Sequence, residues 1–324
     1  MGQILLEVKG LSVVFRAGKG NIVAVDDVNF TIENGKILGM AGESGCGKTV
    51  TSLAVMRLLD GRTTALEGEI LFKGEDLLRK TMPQMRQIRS KNIAMIFQEP
   101  FSSLNPVFTI GDQLMEKMRL SLPMPSRDSR DYVLGMLEKV GIPSAKAAYK
   151  AYPHMLSGGM QQRVMIAMAM IGKPELLIAD EPTTALDVTI QAQILDLMKS
   201  LQEETGAAIL FISHDMGVMA EMADDVLLMY AGQVVEHADV YTFFEHPVHP
   251  YARGLIGAIP HVTGKEQERL YAIPGAAPAL SDMPVGCRFH DRCPFCGEEC
   301  ASLSPPLSER AERHYVRCWR DDCP

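Results

Sequence analysis

The chain has 324 residues, 47% hydrophobic and 22% charged, enough to close a substantial core over one or two domains. A net charge of −8 argues against nonspecific nucleic-acid binding and against docking on acidic lipid through a basic face. No apolar run reaches the roughly 18 residues that span a bilayer, and Met1-Gly2-Gln3-Ile4 lacks the basic and apolar regions of a signal peptide, so the sequence reads as cytosolic.

In chain order, Leu5 to Phe15 and Val23 to Ile32 alternate apolar and polar residues, as half-exposed antiparallel strands do. Ile37 to Ala41 is a short apolar run that predicts a buried strand. It leads into Gly42-Glu43-Ser44-Gly45-Cys46-Gly47-Lys48-Thr49, which reads G-x-x-x-x-G-K-T. The glycines let the backbone turn tightly and aim its N–H groups at an anion. Lys48 supplies a point charge for β/γ-phosphates, and the Thr49 hydroxyl is a ligand for Mg²⁺. Lys48 to Leu59 carries a helical apolar stripe, which places a helix N-terminus under the phosphate. Cys46 reads as a small residue tolerated in the loop rather than a redox group.

Glu69 to Phe72 with Lys73-Gly74 predicts a strand and turn, and Ile93 to Phe97 a buried strand. From about Thr109 to Leu156 the pattern is helical, broken at Pro123, Pro125 and Pro143. Leu156-Ser157-Gly158-Gly159-Met160 opens a further helix running to Ile171. Ser157 is a good N-cap, and the two glycines expose backbone N–H groups, so this is a second anion site. One nucleotide does not need two such sites in one chain, so Ser157 is expected to face a nucleotide held by a partner subunit.

Leu176 to Ala179 is a strand ending in Asp180-Glu181. An Asp at a strand end beside a phosphate loop can hold Mg²⁺, and Glu181 is the natural base for water at the γ-phosphate. Thr189 to Glu204 is helical, and Ala207 to Ile212 is a strand ending at His214. Val226 to Tyr230 and Gln233 to Glu236 flank Ala231-Gly232 as a hairpin. Strands alternating with helices predict an α/β fold with a largely parallel sheet.

Near 240 the texture changes to proline-punctuated sequence, and a boundary falls at about 238–245. Six of the seven cysteines lie between Cys287 and Cys323. A tail this short needs a staple, and in a reducing compartment clustered thiols suggest metal more than disulfides. The cysteines run Cys287-x5-Cys293-x6-Cys300-x17-Cys318, with Cys296 and Cys323 extra, and the spacing leaves open which of them are ligands. His246 and His249 read as packing or turn residues.

These motifs together resemble the nucleotide-binding subunit of an ATP-binding-cassette (ABC) transporter, a P-loop NTPase fold. Gly42 to Thr49 match the Walker A loop, Gln98 the Q-loop glutamine, and Leu156 to Met160 the family signature, with Met160 where Gln is commoner. Asp180 and Glu181 match Walker B, Asp187 lies in the D-loop, and His214 matches the switch histidine. Phe15 falls where an aromatic stacks on adenine.

The resemblance implies a nucleotide-binding domain over 1–240, with a mixed sheet core, an antiparallel β subdomain and a helical subdomain at about 100–156. It implies that Lys48 and the loop amides hold ATP. Thr49, Gln98 and Asp180 arrange Mg²⁺, Glu181 polarises water, and His214 contacts the γ-phosphate. Ser157 to Gly159 complete the partner's site in a head-to-tail dimer.

The tail adds Glu245 to Tyr251, Ile273-Pro274-Gly275 and Gly286-Cys287-Arg288-Phe289. These resemble the C-terminal extension of dipeptide and oligopeptide importer ATPases, some of which carry a [4Fe–4S] cluster. Residues 241–324 would then be a small cysteine-rich extension holding [4Fe–4S] on Cys287, Cys293, Cys300 and Cys318, with Zn²⁺ as the alternative. The implied partners are a second ATPase subunit in a heterodimer, two membrane permease subunits and an extracytoplasmic binding protein. Nucleic acid is not among them. The chain would sit on the cytoplasmic face of the inner membrane, touching the membrane only through the permeases. Rival expectations are nickel, glutathione or opine cargo, and a soluble ABC ATPase outside transport.

Overall fold

The computed structural model describes residues 2–18, 20–98, 103–122, 124–184, 186–259 and 272–320. The regular elements begin with strands β1 (Ile4–Ala17), β2 (Gly20–Glu33) and β3 (Ile37–Ala41), then helix α1 (Lys48–Val55) and strands β4 (Thr64–Phe72) and β5 (Glu75–Asp76). Helix α2 (Met82–Lys91), strand β6 (Ile93–Ile96) and helices α3 (Ile110–Ser121), α4 (Ser126–Lys139), α5 (Ala145–Lys150) and α6 (Gly158–Met170) follow. Next come β7 (Leu176–Asp180), α7 (Val188–Thr205), β8 (Ala208–Ile212), α8 (Met216–Met222), β9 (Asp225–Tyr230) and β10 (Gln233–Asp239). The last are α9 (Val240–Glu245), α10 (Pro250–Gly257), α11 (Glu298–Ser302), β11 (Ser308–Ala311) and β12 (His314–Val316).

Two compact units result. One takes in the residues up to Leu5, Ile32–Lys36 and Arg79–Phe211; the other takes in Leu6–Thr31, Ile37–Leu78 and the described residues from Ile212 on.

In the first unit, β6 and β7 run parallel with Ile93 opposite Leu176, and β8 lies beside β7. β7 and β8 are buried along their whole length, which is why they read as unbroken apolar runs. The helices start on recognisable caps. Thr109 and Asp112 form a reciprocal capping box at α3, and Thr81 and Gln84 form one at α2. α3, α4 and α5 pack through Leu114, Met118, Val133 and Leu137, all fully buried. The α2 helix is absent from the sequence expectation because only Met85 of its residues is buried, so no apolar stripe announces it.

In the second unit, β4 pairs antiparallel with β1, Leu6 opposite Phe72 and Phe15 opposite Thr64. The order is β2-β1-β4-β5. The turn from β4 to β5 is Lys73-Gly74, both at positive φ (53° and 79°), as a tight hairpin turn requires. A second sheet mixes both senses. β3 runs parallel to β9, while β9 and β10 are antiparallel through Ala231-Gly232, at φ 46° and 86°.

The proline-punctuated tail contains two short strands that the sequence reading did not single out. β12 pairs antiparallel with β10, Glu236 opposite Val316, and β11 pairs with β12. The strands are only four and three residues long, too short for periodicity to reveal. Pairing with an existing edge supplies the stability that such short strands lack alone. Beside this pairing, the fully buried Glu236 carboxylate accepts from the Val248 and His249 N–H groups at 2.9 and 2.7 Å, and lies 2.8 Å from His314 Nε2.

Candidate nucleotide-binding site

The phosphate loop belongs to the second unit. It leaves β3, whose five residues are all buried, and enters α1 at Gly47. Gly47 caps α1 without a side-chain acceptor, the arrangement that presents helix N–H groups to an anion. Two glycines are required by space as well as by dihedral angle. A Cβ on Gly42 (φ 144°) would stand 2.2 Å from the Met229 carbonyl oxygen, and one on Gly47 (φ 107°) 2.9 Å from that of Ala24. Lys48 is 5% exposed. Its Nζ arches back to donate to the carbonyls of Gly42 at 2.7 Å and Glu43 at 3.0 Å. Cys46 is buried with Sγ 3.8 Å from Lys48 Nζ; burial pushes its thiol up against the pull of that ammonium. It therefore stays a neutral filler, as the sequence suggests.

His214 is exposed and follows β8. The N–H of its neighbour Ser213 donates to the Met40 carbonyl at 3.3 Å, which sets His214 beside the strand that feeds the phosphate loop. Phe15 is half-buried near the end of β1.

The acidic strand end belongs to the first unit. Asp180 closes β7 at 2% exposure. Glu181 then takes left-handed backbone (φ 47°), a conformation costing about 1–2 kcal/mol for a non-glycine residue. Its carboxylate is held from two sides. Gln98 Nε2 donates to Oε2 at 3.0 Å and Thr184 Oγ1 donates to the same oxygen at 2.9 Å. Gln98 and Glu181, 83 positions apart, are thus brought together, a contact the sequence did not predict. Thr184 was not foreseen, although its i+3 spacing and hydroxyl were visible.

Ser157 is exposed and caps α6, accepting from the Met160 N–H at 3.4 Å; Gly158 and Gly159 form the first turn. Asp187 caps α7, accepting from the Ile190 N–H at 2.9 Å. The sequence also missed Gln162. It is buried in α6 and its amide donates to the Pro182 carbonyl, one residue past Glu181. Nothing local marks that contact.

The tail contributes a further cluster to the second unit. Cys287, Cys293, Cys300 and Cys318 line one small cavity together with Phe289 and Trp319. Burial pushes the Cys287 and Cys293 thiols up to about 11, and the neighbouring thiols add to it. All described cysteines are free thiols, and Cys296 is exposed. Cys323 lies outside the described residues. Among the described residues, no group of three or more His, Cys, Asp or Glu is placed to hold a metal ion. His249 is 1% exposed and uses Nδ1 to accept the Tyr251 N–H at 3.1 Å, capping α10. It is a turn residue, as expected.

Comparison with known proteins agrees with this arrangement. A model of the ABC transporter family matches residues 25–184, and one of the oligopeptide/dipeptide transporter C-terminal region matches residues 235–300. A protein of Brucella ovis is 47% identical over 98% of this chain and 97% of its own length, and one of Brucella abortus is 47% identical with the same coverage. Both are provisionally named peptide import ATP-binding proteins. A dimeric ATP-binding cassette solved after hydrolysis with ADP and phosphate superposes with a TM-score of 0.66 at 26% identity, over 72% of this chain and 98% of its own. A Clostridium perfringens subunit of an ABC transporter complex shares the fold, with a TM-score of 0.64 at 24% identity over 75% of this chain and 92% of its own. Among the described residues, no helix is long and apolar enough to cross a membrane. The phosphate loop, the held Glu181, the capped signature helix and these likenesses agree: the chain is an ATP-hydrolysing member of the ABC transporter family, in the branch that carries the oligopeptide/dipeptide transporter C-terminal region.

Proposed function

We propose that this chain is the ATPase subunit of an importer of di- and oligopeptides. The observation that carries this reading is the pairing, in one chain, of a region matched to the ABC transporter family with a C-terminal region matched to oligopeptide/dipeptide transporters. The relatives' names point the same way. Residues 1–240 form the cassette, with the helical subdomain at about 100–156, and residues 241–324 the extension. The subunit works against a second ATPase in a heterodimer, beneath two permeases fed by an extracytoplasmic binding protein, on the cytoplasmic face of the inner membrane.

In this reading Lys48 and the amides of Gly42 to Gly47 bind the phosphates, and Phe15 stacks on the adenine. Thr49, Gln98 and Asp180 offer oxygen donors suited to a hard cation. Gln98 fits that role because its amide nitrogen is spent on Glu181, which leaves its carbonyl oxygen as a ligand. Mg²⁺ held by these residues would supply charge neutralisation for the phosphates. Glu181, fixed by Gln98 and Thr184, orients water and takes its proton. His214 contacts the γ-phosphate. Ser157, Gly158, Gly159 and Asp187 serve the partner's nucleotide across the dimer.

We also assign a [4Fe–4S] cluster to Cys287, Cys293, Cys300 and Cys318. Convergence of the four thiols on one cavity supports it. Four thiolates are the usual ligand set of a [4Fe–4S] cluster, with tetrahedral Zn²⁺ as the alternative. The cluster, when bound, supplies cross-links between distant parts of the tail.

Reconstitution of the subunit with its permeases in proteoliposomes tests the transport reading. ATP-dependent uptake of labelled peptides is expected. Uptake of nickel, glutathione or opines with no peptide uptake would move the cargo assignment, and ATPase activity indifferent to any permease would remove it. Iron and acid-labile sulfide in equal amounts are expected in anaerobically purified protein; zinc alone would refute the cluster.

A further inference from the structure

Two arginines in the cysteine-bearing segment reach the nucleotide-binding part of the second unit. Arg288 follows Cys287 and donates to the Ala231 carbonyl and the Asp26 carboxylate. Arg292 precedes Cys293, with its side chain 7% exposed. Its Nη1 and Nη2 each donate to one oxygen of Glu43, both at 2.9 Å, and its Nε donates to the Pro274 carbonyl at 3.0 Å.

Glu43 is the second residue of the phosphate loop. Its N–H donates to the Tyr251 hydroxyl at 3.0 Å, so the tail grips both its backbone and its side chain. Its carbonyl accepts from Lys48 at 3.0 Å. The phosphate-binding lysine and the tail's arginine therefore hold one residue between them. A planar guanidinium bound through two parallel bonds fixes orientation as well as position.

This contact differs from ordinary docking in two ways. Glu43 brings a negative charge into a loop built for a polyphosphate, and like charges at close range repel. Arg292 neutralises that charge and at the same time sets the loop's conformation, so its loss would weaken ATP binding on both counts. Furthermore, Cys287 and Cys293 bracket the segment from which both arginines project, and both line the four-thiol cavity. A change that draws those thiols together acts directly on the segment that carries Arg292. A coupling of this kind is reciprocal between the two sites.

We propose that Arg292 is a positioning residue of the phosphate loop, acting through Glu43, and that through it the four-thiol segment sets how tightly this chain holds ATP. The thiol half rests on the metal-site reading given above; the Arg292 half does not.

The test is equilibrium titration of the full-length subunit with a fluorescent ATP analogue, beside steady-state kinetics and a thermal midpoint for each variant. Arg292→Met should weaken ATP about tenfold, the size of one lost charge-assisted contact. KM should rise by a similar factor with kcat at saturation nearly kept. Arg292→Lys, which restores charge without the fork, should fall between. In a Glu43→Gln background, Arg292→Met should add less than about twofold, since coupled partners are not additive. Unchanged affinity in folded Arg292→Met, or fully additive losses in the double variant, would overturn the positioning role. If Arg292→Met does not fold, Arg292→Lys and Glu43→Gln decide the matter, and unchanged affinity in both would overturn it.

For the thiol half, wild type and Arg292→Lys are titrated as purified and after metal removal under reducing conditions. Stripping should weaken ATP several-fold in wild type and less in the variant. Unchanged wild-type affinity on stripping overturns the thiol half and leaves the Arg292 half standing. A purified chain without iron or zinc overturns the metal reading and the thiol half together, while the Arg292 titrations still stand or fall on their own.

Discussion

The side-chain amide of Gln98 donates to Glu181 at 3.0 Å, on the same carboxylate oxygen that accepts from Thr184. These two donors fix the orientation of the carboxylate that the proposed mechanism uses as its base. Glu181→Gln should therefore keep ATP binding and lower phosphate release at least ~100-fold, the range of general-base catalysis. Filter binding and a phosphate-release assay measure the two separately, and wild-type turnover in the variant would remove Glu181 from the base role.

Gln98→Ala leaves the base in place but loosens it. Thr184 still holds one side of Glu181, so the loss should be smaller, about tenfold in kcat, with Mg²⁺ dependence shifted to higher concentration. A variant whose Mg²⁺ titration matches wild type would separate Gln98 from the cation.

Gly42 and Gly45 both have positive φ, at 144° and 80°, but only one is crowded. A Cβ on Gly45 meets nothing within 4 Å, so Gly45→Ala should cost only backbone strain, about 1–2 kcal/mol. Gly42→Ala drives a methyl to 2.2 Å from the Met229 carbonyl and should cost well beyond that, ~4 kcal/mol or loss of folding. Urea unfolding of the two variants gives the comparison; equal losses would contradict it.

Glu236 is fully buried against His314 and two backbone N–H groups where β12 joins β10. Removing it as Glu236→Ala strands those donors and should cost ~3–5 kcal/mol. The loss should appear first as protease cleavage within the tail, with the tail released from β10. Proteolysis at the wild-type rate would show that the pairing holds without it.

His249 is held near pKa 3 by burial, which disfavours its charged form. The unfolded imidazole titrates near 6.5, so between about 6.5 and 3 the unfolded chain carries a proton that the folded chain lacks. Stability therefore falls as pH drops below about 6.5, by up to ~1.4 kcal/mol per pH unit. His249→Asn, which can still cap α10, should flatten that slope in urea unfolding run from pH 7 to pH 5. An unchanged slope would place the proton uptake elsewhere.

The candidate nucleotide-site motifs were legible without a structure. Gly42 to Thr49, Asp180-Glu181 and Ser157-Gly158-Gly159 declare themselves because their chemistry is local: a turn that only glycine allows, a strand that ends in acid, a capped helix start. The buried runs Leu176 to Ala179 and Ala208 to Ile212 and the Ala231-Gly232 hairpin follow from period and turn residues for the same reason. By itself the sequence determined the fuel, the fold class and the family.

Only the tertiary structure decided how the tail is used. Arg292 meets Glu43 across 249 positions, Gln233 and Arg288 share Asp26, and His314 meets Glu236 across 78. Each is a pairing of charged or polar groups drawn out of water, and no periodicity records which partner a distant residue will find. The strands that dock the tail are too short to signal themselves and exist because β10 offers an unpaired edge. The cysteines could be counted in the sequence, but their convergence on one cavity beside an arginine that grips the phosphate loop is a property of the folded chain alone.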